Sequence, residues 1–296
     1  MSIRLRERIM PLAKMTLSCI KADIGSVGGH VTPSKAMLDG VRSFMLERSK
    51  GLLKSWDVSH VGDDISLLMV HDKGENSEAV HRFALECLNH GADIARKQGL
   101  YGAGQDLDSG AFSGNVRGMG PAVTELEFKP RKAEAFVLFA ADKTDPGAFN
   151  LPLYLAFADP FHAPGLMLAK SMTKGFRFRI MDVDHHEADR IIDLDAPEQL
   201  YDIAALLRDN SRYHVVSITN RKSGEVALRT SADRSRMVDG SLQGKDDPIM
   251  LCRVQGDFPS SGEIVSPYRL GHYCNGAGRG SHATPLMPVK AGAIDY

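Results

Sequence analysis

Acidic residues recur in this sequence at one kind of place: the end of a short apolar run, beside a glycine turn. Asp23 closes a run that begins at Met15. Asp63 and Asp64 stand in the turn HVGDD, between the β-like runs Trp56–Val61 and Ile65–His71. Asp142 ends the run FVLFAAD, and Asp246 and Asp247 stand in GKDDP just before Pro248–Gln255. Strand ends converge in space more readily than strand middles, so carboxylates placed there can meet in one pocket. Two adjacent carboxylates repel each other unless a cation neutralises them. Hard divalent cations take oxygen ligands, and Mg²⁺ in particular links carboxylates to phosphates. Taken singly, an Asp after a strand is ordinarily a turn or cap residue, and Asp-Asp pairs also occur on solvated surfaces. Spacing alone therefore gives only a weak metal site.

The remaining pattern predicts a mixed fold. Met15–Ile24 reads as a strand, with a helix from Pro33 through Glu47 capped by Thr32. Ser77–Gln98 is the clearest helix: Val80, Phe83, Ala84, Cys87, Leu88, Ile94 and Ala95 recur at helical spacing, and Gly99 terminates it. A glycine-rich stretch from Tyr101 to Pro121 shows little periodicity, as functional loops do. Ala122–Phe128, Ala135–Ala141, Phe176–Val183, Tyr213–Thr219, Glu225–Thr230 and Pro248–Gln255 read as strands, and Pro197–Arg208 as a short amphipathic helix. Strands and helices do not alternate strictly, so a mixed, largely antiparallel sheet system with helices outside is expected. Neither an internal repeat nor a linker divides the chain, and one domain over 1–296 is expected, with 1–14 as an N-terminal extension.

Composition excludes several classes. The net charge is −1, and the lysines and arginines form no long basic run, so no nucleic-acid partner is expected. No apolar stretch approaches membrane-spanning length, and Lys14, Lys21 and Asp23 spoil the N-terminal segment as a signal peptide. Cys19, Cys87, Cys252 and Cys274 lie far apart without a CxxC pair, which suits a reducing compartment and a cytoplasmic location. His185 and His186, in DVDHHEAD, sit in a polar turn and are read as solvated rather than metal-binding.

The segments KADIGSVGGH, HVGDD, LYGAGQDL, FSGNVRGMGP, ADKTDPGAFNLPLY, FADPFHAPGL, GKDDPIM and GRGSHATPLMPV, in this order from Ile20 to Val289, resemble the fructose-1,6-bisphosphate aldolase/phosphatase family, also called type V fructose-1,6-bisphosphatases. The resemblance implies an α/β fold, a four-layer α-β-β-α sandwich, with several Mg²⁺ ions, a phosphorylated sugar as substrate, a place in carbohydrate metabolism and a homo-octamer. It implies Asp23, His30, Asp63, Asp64, Gln105, Asp142, Asp246 and Asp247 as metal ligands. It implies Tyr101, Ser113, Gly114, Asn115, Lys143, Gln255 and Arg279 as substrate-binding residues. Asp23, Asp64 and Lys245 are the implied catalytic residues, Lys245 as the amine that forms a Schiff base. An attacking lysine must be neutral; cations on Asp246 and Asp247 would help lower its pKa, where bare carboxylates would raise it.

Two departures from the family pattern bear on activity. The family's acid/base tyrosine, three residues before the Schiff-base lysine, is replaced by Leu242. The resemblance also implies a further region after PLMPV that supplies an acidic sugar-binding residue and a tyrosine, and the sequence ends at Tyr296. The expectation is a metal-dependent phosphate-monoester hydrolase with weakened aldol activity. The alternatives are a repurposed Schiff-base lyase acting through Lys245 on another anionic carbonyl compound, and a non-catalytic binding subunit.

Overall fold

The computed structural model of the chain describes residues 13–107, 120–132, 134–142, 144, 147–182, 191–231, 247–269 and 284–294. Among them, β1 (Met15–Asp23), β2 (Ser55–Val61), β3 (Asp64–His71) and β4 (Ala122–Phe128) form one sheet ordered β2-β3-β1-β4. A second sheet joins β5 (Glu134–Asp142), β6 (Phe176–Asp182), β7 (Ile191–Ala196), β8 (Tyr213–Asn220), β9 (Val226–Thr230), β10 (Ile249–Val254) and β11 (Thr284–Ile294) in the order β11-β5-β10-β9-β8-β6-β7. The described pairings are all antiparallel. The helices are α1 (Lys35–Arg48), α2 (Glu78–Gln98), α3 (Asn150–Phe157), α4 (Gly165–Leu168), α5 (Leu200–Leu207) and α6 (Ser261–Val265).

Side-chain alternation stacks these elements into layers, because successive residues of a strand face opposite sides of its sheet. On β1, Ile20 and Ala22 pack with Met37, Val41, Phe83 and Cys87 of α1 and α2, whereas Leu17 and Cys19 face the second sheet. There they join Leu68, Leu126 and Phe128 of the first sheet and Phe136, Leu138, Ala140, Ile249 and Leu251 of the second in one apolar seam. The other face of β5 and β10, carrying Val137, Phe139, Met250 and Cys252, packs against Leu153 and Phe157 of α3, Ile203 of α5 and Ile264 of α6. The order is therefore helices, small sheet, large sheet, helices: the expected four-layer α-β-β-α sandwich.

Local signals explain most element boundaries. α2 buries Val80, Phe83, Ala84, Cys87, Leu88, Ala92 and Ala95 along one stripe. It ends where Gly99 adopts φ 64° and its N–H bonds the Arg96 carbonyl. α1 starts later than expected. Its N-cap is Ser34, whose hydroxyl accepts from the Met37 N–H at 3.1 Å, and not Thr32. Thr32 is engaged in a bridge whose carbonyl accepts from the Val27 N–H, so the chain is still extended there. The strands β7 and β11 and the short helices α3, α4 and α6 were not anticipated. All but β11 are brief, and α3 is apolar on all sides, so periodicity does not mark them. No helix among the described residues is long and apolar enough to cross a membrane.

Buried charge is confined to compact networks. Arg253 of β10 pairs with Glu134 of β5 at 3.0 Å between the rings of Phe128 and Phe258, and Arg131 binds the same carboxylate. Burial pushes Glu134 upward, but these bonds outweigh it and hold the group low. On the helix-facing side of the small sheet, Glu125 accepts from Ser18 (2.8 Å), from the Asn76 N–H (2.7 Å) and pairs with His81 (2.9 Å). Burial alone would raise Glu125, yet these partners hold it at about 2.

Two histidines make the fold acid-labile. His214 of β8 is buried with neither ring nitrogen hydrogen-bonded among the described residues, and burial pulls it down to about 3. Burial also lowers His71. An unfolded chain protonates both near pH ~6.5, whereas burial in the fold disfavours the charged form of each. Their contribution to stability is therefore complete above that pH and drains as pH falls, at up to ~1.4 kcal/mol per pH unit for each histidine. Urea unfolding measured from pH ~7.5 down to ~5 should show this slope, and His214→Leu should remove about one proton from it. An unchanged slope in the variant would contradict the assignment.

Candidate metal centre

The apolar seam between the sheets becomes polar at one end. Lys21 and Asp23 continue the face of β1 that carries Leu17 and Cys19. Asp142 continues the face of β5 that carries Leu138 and Ala140, Asp64 that of Leu68 on β3, and Asp247 precedes Ile249 on β10 in the same alternation. Each carboxylate thus belongs to a strand face that is apolar along most of its length. Antiparallel register sets Asp23 directly opposite Asp64. The tight Gly62 turn then carries Asp63, fully buried, across to the end of β5.

Gly62 is the point of closest approach. It has φ 53°, and a Cβ on it would lie 1.7 Å from Asp142 Oδ2. A side chain has no room where HVGDD meets Asp142, so the sequence needs glycine at this position both for the turn and for the contact.

His30 arrives on a loop in which Gly28, Gly29 and His30 itself all have positive φ. Its Nδ1 lies 3.3 Å from Asp63 Oδ2 and 3.8 Å from Asp23 Oδ2. Tyr101, more than half exposed, meets the His30 ring edge-on at a centroid distance of 4.8 Å. The segment following α2 therefore forms the outer wall of the site. Gln105 follows in a single 3₁₀ turn and donates from its side-chain amide to Asp23 Oδ2 at 2.5 Å. Asp247 accepts from the Thr144 N–H (2.6 Å), and its own N–H bonds the Thr144 carbonyl (3.0 Å), so the chain leaving β5 is stitched to the chain entering β10.

Two participants escaped the sequence reading. Lys21 is buried and its ammonium bonds Asp64 Oδ2. Burial would lower this lysine, but the carboxylates of Asp64, Asp247 and Asp142 outweigh that and raise it above the ordinary value. Asp106 accepts from the Asp23 backbone N–H at 2.9 Å and fixes the end of β1. The signal for Lys21 was its two-residue spacing from Asp23 in KAD, which puts both on one strand face. Asp106 had no such periodic signal.

Of the expected site residues, the structure thus gathers Asp23, His30, Asp63, Asp64, Gln105 and Asp142, with Tyr101 and Asp247 beside them. Gln255 is not brought to this cluster. It follows β10 at the end remote from Asp247, on the order of 20 Å along the strand. There its amide faces Ser261 and its carbonyl accepts from Arg131. Ser113, Gly114, Asn115, Lys143, Leu242, Lys245, Asp246 and Arg279 lie outside the described residues, as do His185 and His186.

The donor set suits metal ions. Ligand atoms of Asp23, His30 and Asp63 lie within 4.8 Å of one another, and so do those of Asp63, Asp64 and Asp142. Trans ligands of a Mg²⁺- or Ca²⁺-sized ion are roughly 4–5 Å apart. Asp63 belongs to both groups, the arrangement expected of a carboxylate shared between neighbouring ions. All four carboxylates are buried, and such a concentration of negative charge needs compensation beyond one lysine.

Comparison with known sequences agrees with this geometry. A fructose-1,6-bisphosphatase family model matches residues 14–295. The chain belongs to the fructose-1,6-bisphosphatase family. It is 52% identical over 278 residues to a fructose-1,6-bisphosphate aldolase/phosphatase of Thermus thermophilus, covering 94% of this chain and 77% of that protein. Proteins of the same name from Ignicoccus hospitalis and Methanothermobacter marburgensis are 47% and 43% identical, each over 93% of this chain and over 70% and 75% of their own lengths. The family resemblance read from the motifs is therefore shown over nearly the whole chain.

The Gly62 contact gives a direct test. Gly62→Ala should displace Asp142 and strain the turn, lowering stability by ~1–3 kcal/mol and weakening metal binding by at least tenfold. Thermal unfolding and Mn²⁺ titration of the variant check both. Wild-type behaviour in both would show that the turn and Asp142 do not meet as described.

Proposed function

We propose that the chain is a Mg²⁺-dependent sugar-phosphate enzyme that hydrolyses a phosphate monoester, with fructose 1,6-bisphosphate as the first substrate to test. The observation that carries this reading is the pair of ligand groups sharing buried Asp63, in a chain half identical to a named aldolase/phosphatase. Bound Mg²⁺ supplies polarisation of the phosphoryl oxygens and neutralisation of their charge.

The chain's own residues do the rest. Asp63, Asp142 and His30 hold position through the strand ends and the glycine loop, and with Asp23 and Asp64 they form the ligand set, joined by Gln105, Asp246 and Asp247. Asp23, held by the Gln105 amide and through its backbone by Asp106, is the carboxylate assigned to take a proton from an attacking water. Asp64, held by Lys21, is the second carboxylate available for that task. Tyr101 forms an exposed wall against which a sugar can rest, and Lys143 and Arg279 are assigned to its phosphates by resemblance. The reading includes a homo-oligomer, an octamer by resemblance, working in the cytoplasm.

Metal dependence follows from the charge on the site. Chelation should abolish phosphate release. Asp63→Ala should reduce it by at least ~10³-fold, because a carboxylate common to both ligand groups is lost. Full activity in chelator would refute the reading.

Lys245 and Leu242 separate the two chemistries. Leucine cannot shuttle a proton, and general acid–base assistance is worth ~10²–10⁴ in rate. Condensation of two triose phosphates should therefore be slower than phosphate release from the same Mg²⁺-loaded sample, and Leu242→Tyr should raise the condensation rate selectively. Borohydride with a ketone phosphate should fix an adduct on Lys245 that Lys245→Arg cannot form. Turnover of a different carbonyl compound through Lys245, without phosphate release, would favour the lyase reading. A protein that binds metal and shows neither reaction would be a binding subunit.

A further inference from the structure

Lys21 stands inside the carboxylate cluster without belonging to its ligand set. It lies on the seam-facing side of β1, with Ser66 as its partner on β3 and Ala122 as its partner on β4. Its side chain is 3% exposed, and its ammonium bonds Oδ2 of Asp64, a member of the Asp63-Asp64-Asp142 group. The Ser66 hydroxyl directly across the strand pair is buried and makes no hydrogen bond among the described residues. Among the described residues the ammonium is thus held by Asp64. A cation held this way neutralises part of the cluster before any metal arrives, and it repels a metal that comes to the same carboxylate.

We propose that Lys21 is a resident counter-ion: it holds the metal-free cluster together and competes with a divalent cation for Asp64, so that it sets how tightly the site binds metal. The proposal rests on the metal-site reading above. It makes Lys21 a positioning residue, acting through Asp64 rather than on substrate. Its signature differs in sign from that of a merely structural lysine. Removing a structural lysine would loosen the site and weaken metal binding. Removing a competing charge strengthens binding while weakening the metal-free protein.

The test compares wild type, Lys21→Met and Lys21→Gln by Mn²⁺ titration, read by electron paramagnetic resonance, and by thermal unfolding with chelator and with saturating Mn²⁺. Both variants should bind Mn²⁺ at least ~10-fold more tightly than wild type. Their melting temperatures should fall in chelator and recover most of the loss with Mn²⁺. If a variant is unfolded in chelator, Mn²⁺ should refold it. Equal or weaker Mn²⁺ binding, an equal loss of stability with and without Mn²⁺, or a variant that Mn²⁺ does not refold would each overturn the proposal. Wild type that binds no Mn²⁺ would overturn the metal-site reading itself, and this proposal with it; wild-type binding with unaltered variants would overturn this proposal alone.

Discussion

Repulsion among buried carboxylates is the constraint from which the rest of this structure follows. Asp23 and Asp64 are direct cross-strand partners, Asp63 adjoins Asp64 in sequence, and Asp142 comes so close that Gly62 can carry no side chain. Opposed like charges destabilise a strand pair, and burying them without partners costs still more. A sequence that nevertheless folds this way is organised to be completed by positive charge. Lys21 provides part of it from within the sheet, and Asp63 belongs to both groups that could hold a metal ion.

The two-sheet architecture makes that arrangement possible. One seam of Leu17, Cys19, Leu68, Leu126, Leu138, Ala140, Ile249 and Leu251 locks the sheets together by burial, and each leucine or isoleucine in it contributes on the order of 1.5–3 kcal/mol. The acidic end is an extension of the same faces, so the strands that carry the charges are already anchored a few residues away. The large sheet's second ionic network, Arg253 with Glu134, lies toward the other end of β5 and β10, where Val254 pairs with Ala135. There charge is balanced within the chain, by bonded guanidinium and carboxylate. The contrast separates a closed ion pair, which serves the fold, from an acidic cluster in excess, which serves a ligand.

Much of this was legible in the sequence, for a physical reason. Carboxylates at strand ends are visible because an apolar run followed by Asp is a change of environment along one chain. Asp23, Asp64 and Asp142 came from that signal, and the motif resemblance added His30 and Gln105, which no periodicity marks. The strands β1 to β6 and β8 to β10 and the helices α1, α2 and α5 were anticipated from alternation and helical spacing. The strands β7 and β11 and the helices α3, α4 and α6 were not: β11 carries Pro285, Pro288 and Gly292, which break a strand pattern, and the others are short or apolar on every side. Thr32 and Ser34 both precede the helix in sequence, and the bridge of Thr32 to Val27 leaves Ser34 as the cap. Gln255 lies off this cluster, at the end of β10 remote from Asp247, where its amide faces Ser261.

Strand parity links these points. On β1, the seam-facing residues run Leu17, Cys19, Lys21, Asp23, from apolar through cationic to anionic. The lysine stands at the boundary, where the low-dielectric seam gives way to the acidic cluster. A charge there interacts strongly with Asp64 because little water intervenes, and its long apolar stem is at home against the seam. An acidic cluster built directly on an apolar seam would meet it with uncompensated charge at its most poorly solvated edge. Placing the cation at that edge puts Lys21 on the seam side of the carboxylates, with His30, Tyr101 and Gln105 on the loops beyond the strand ends.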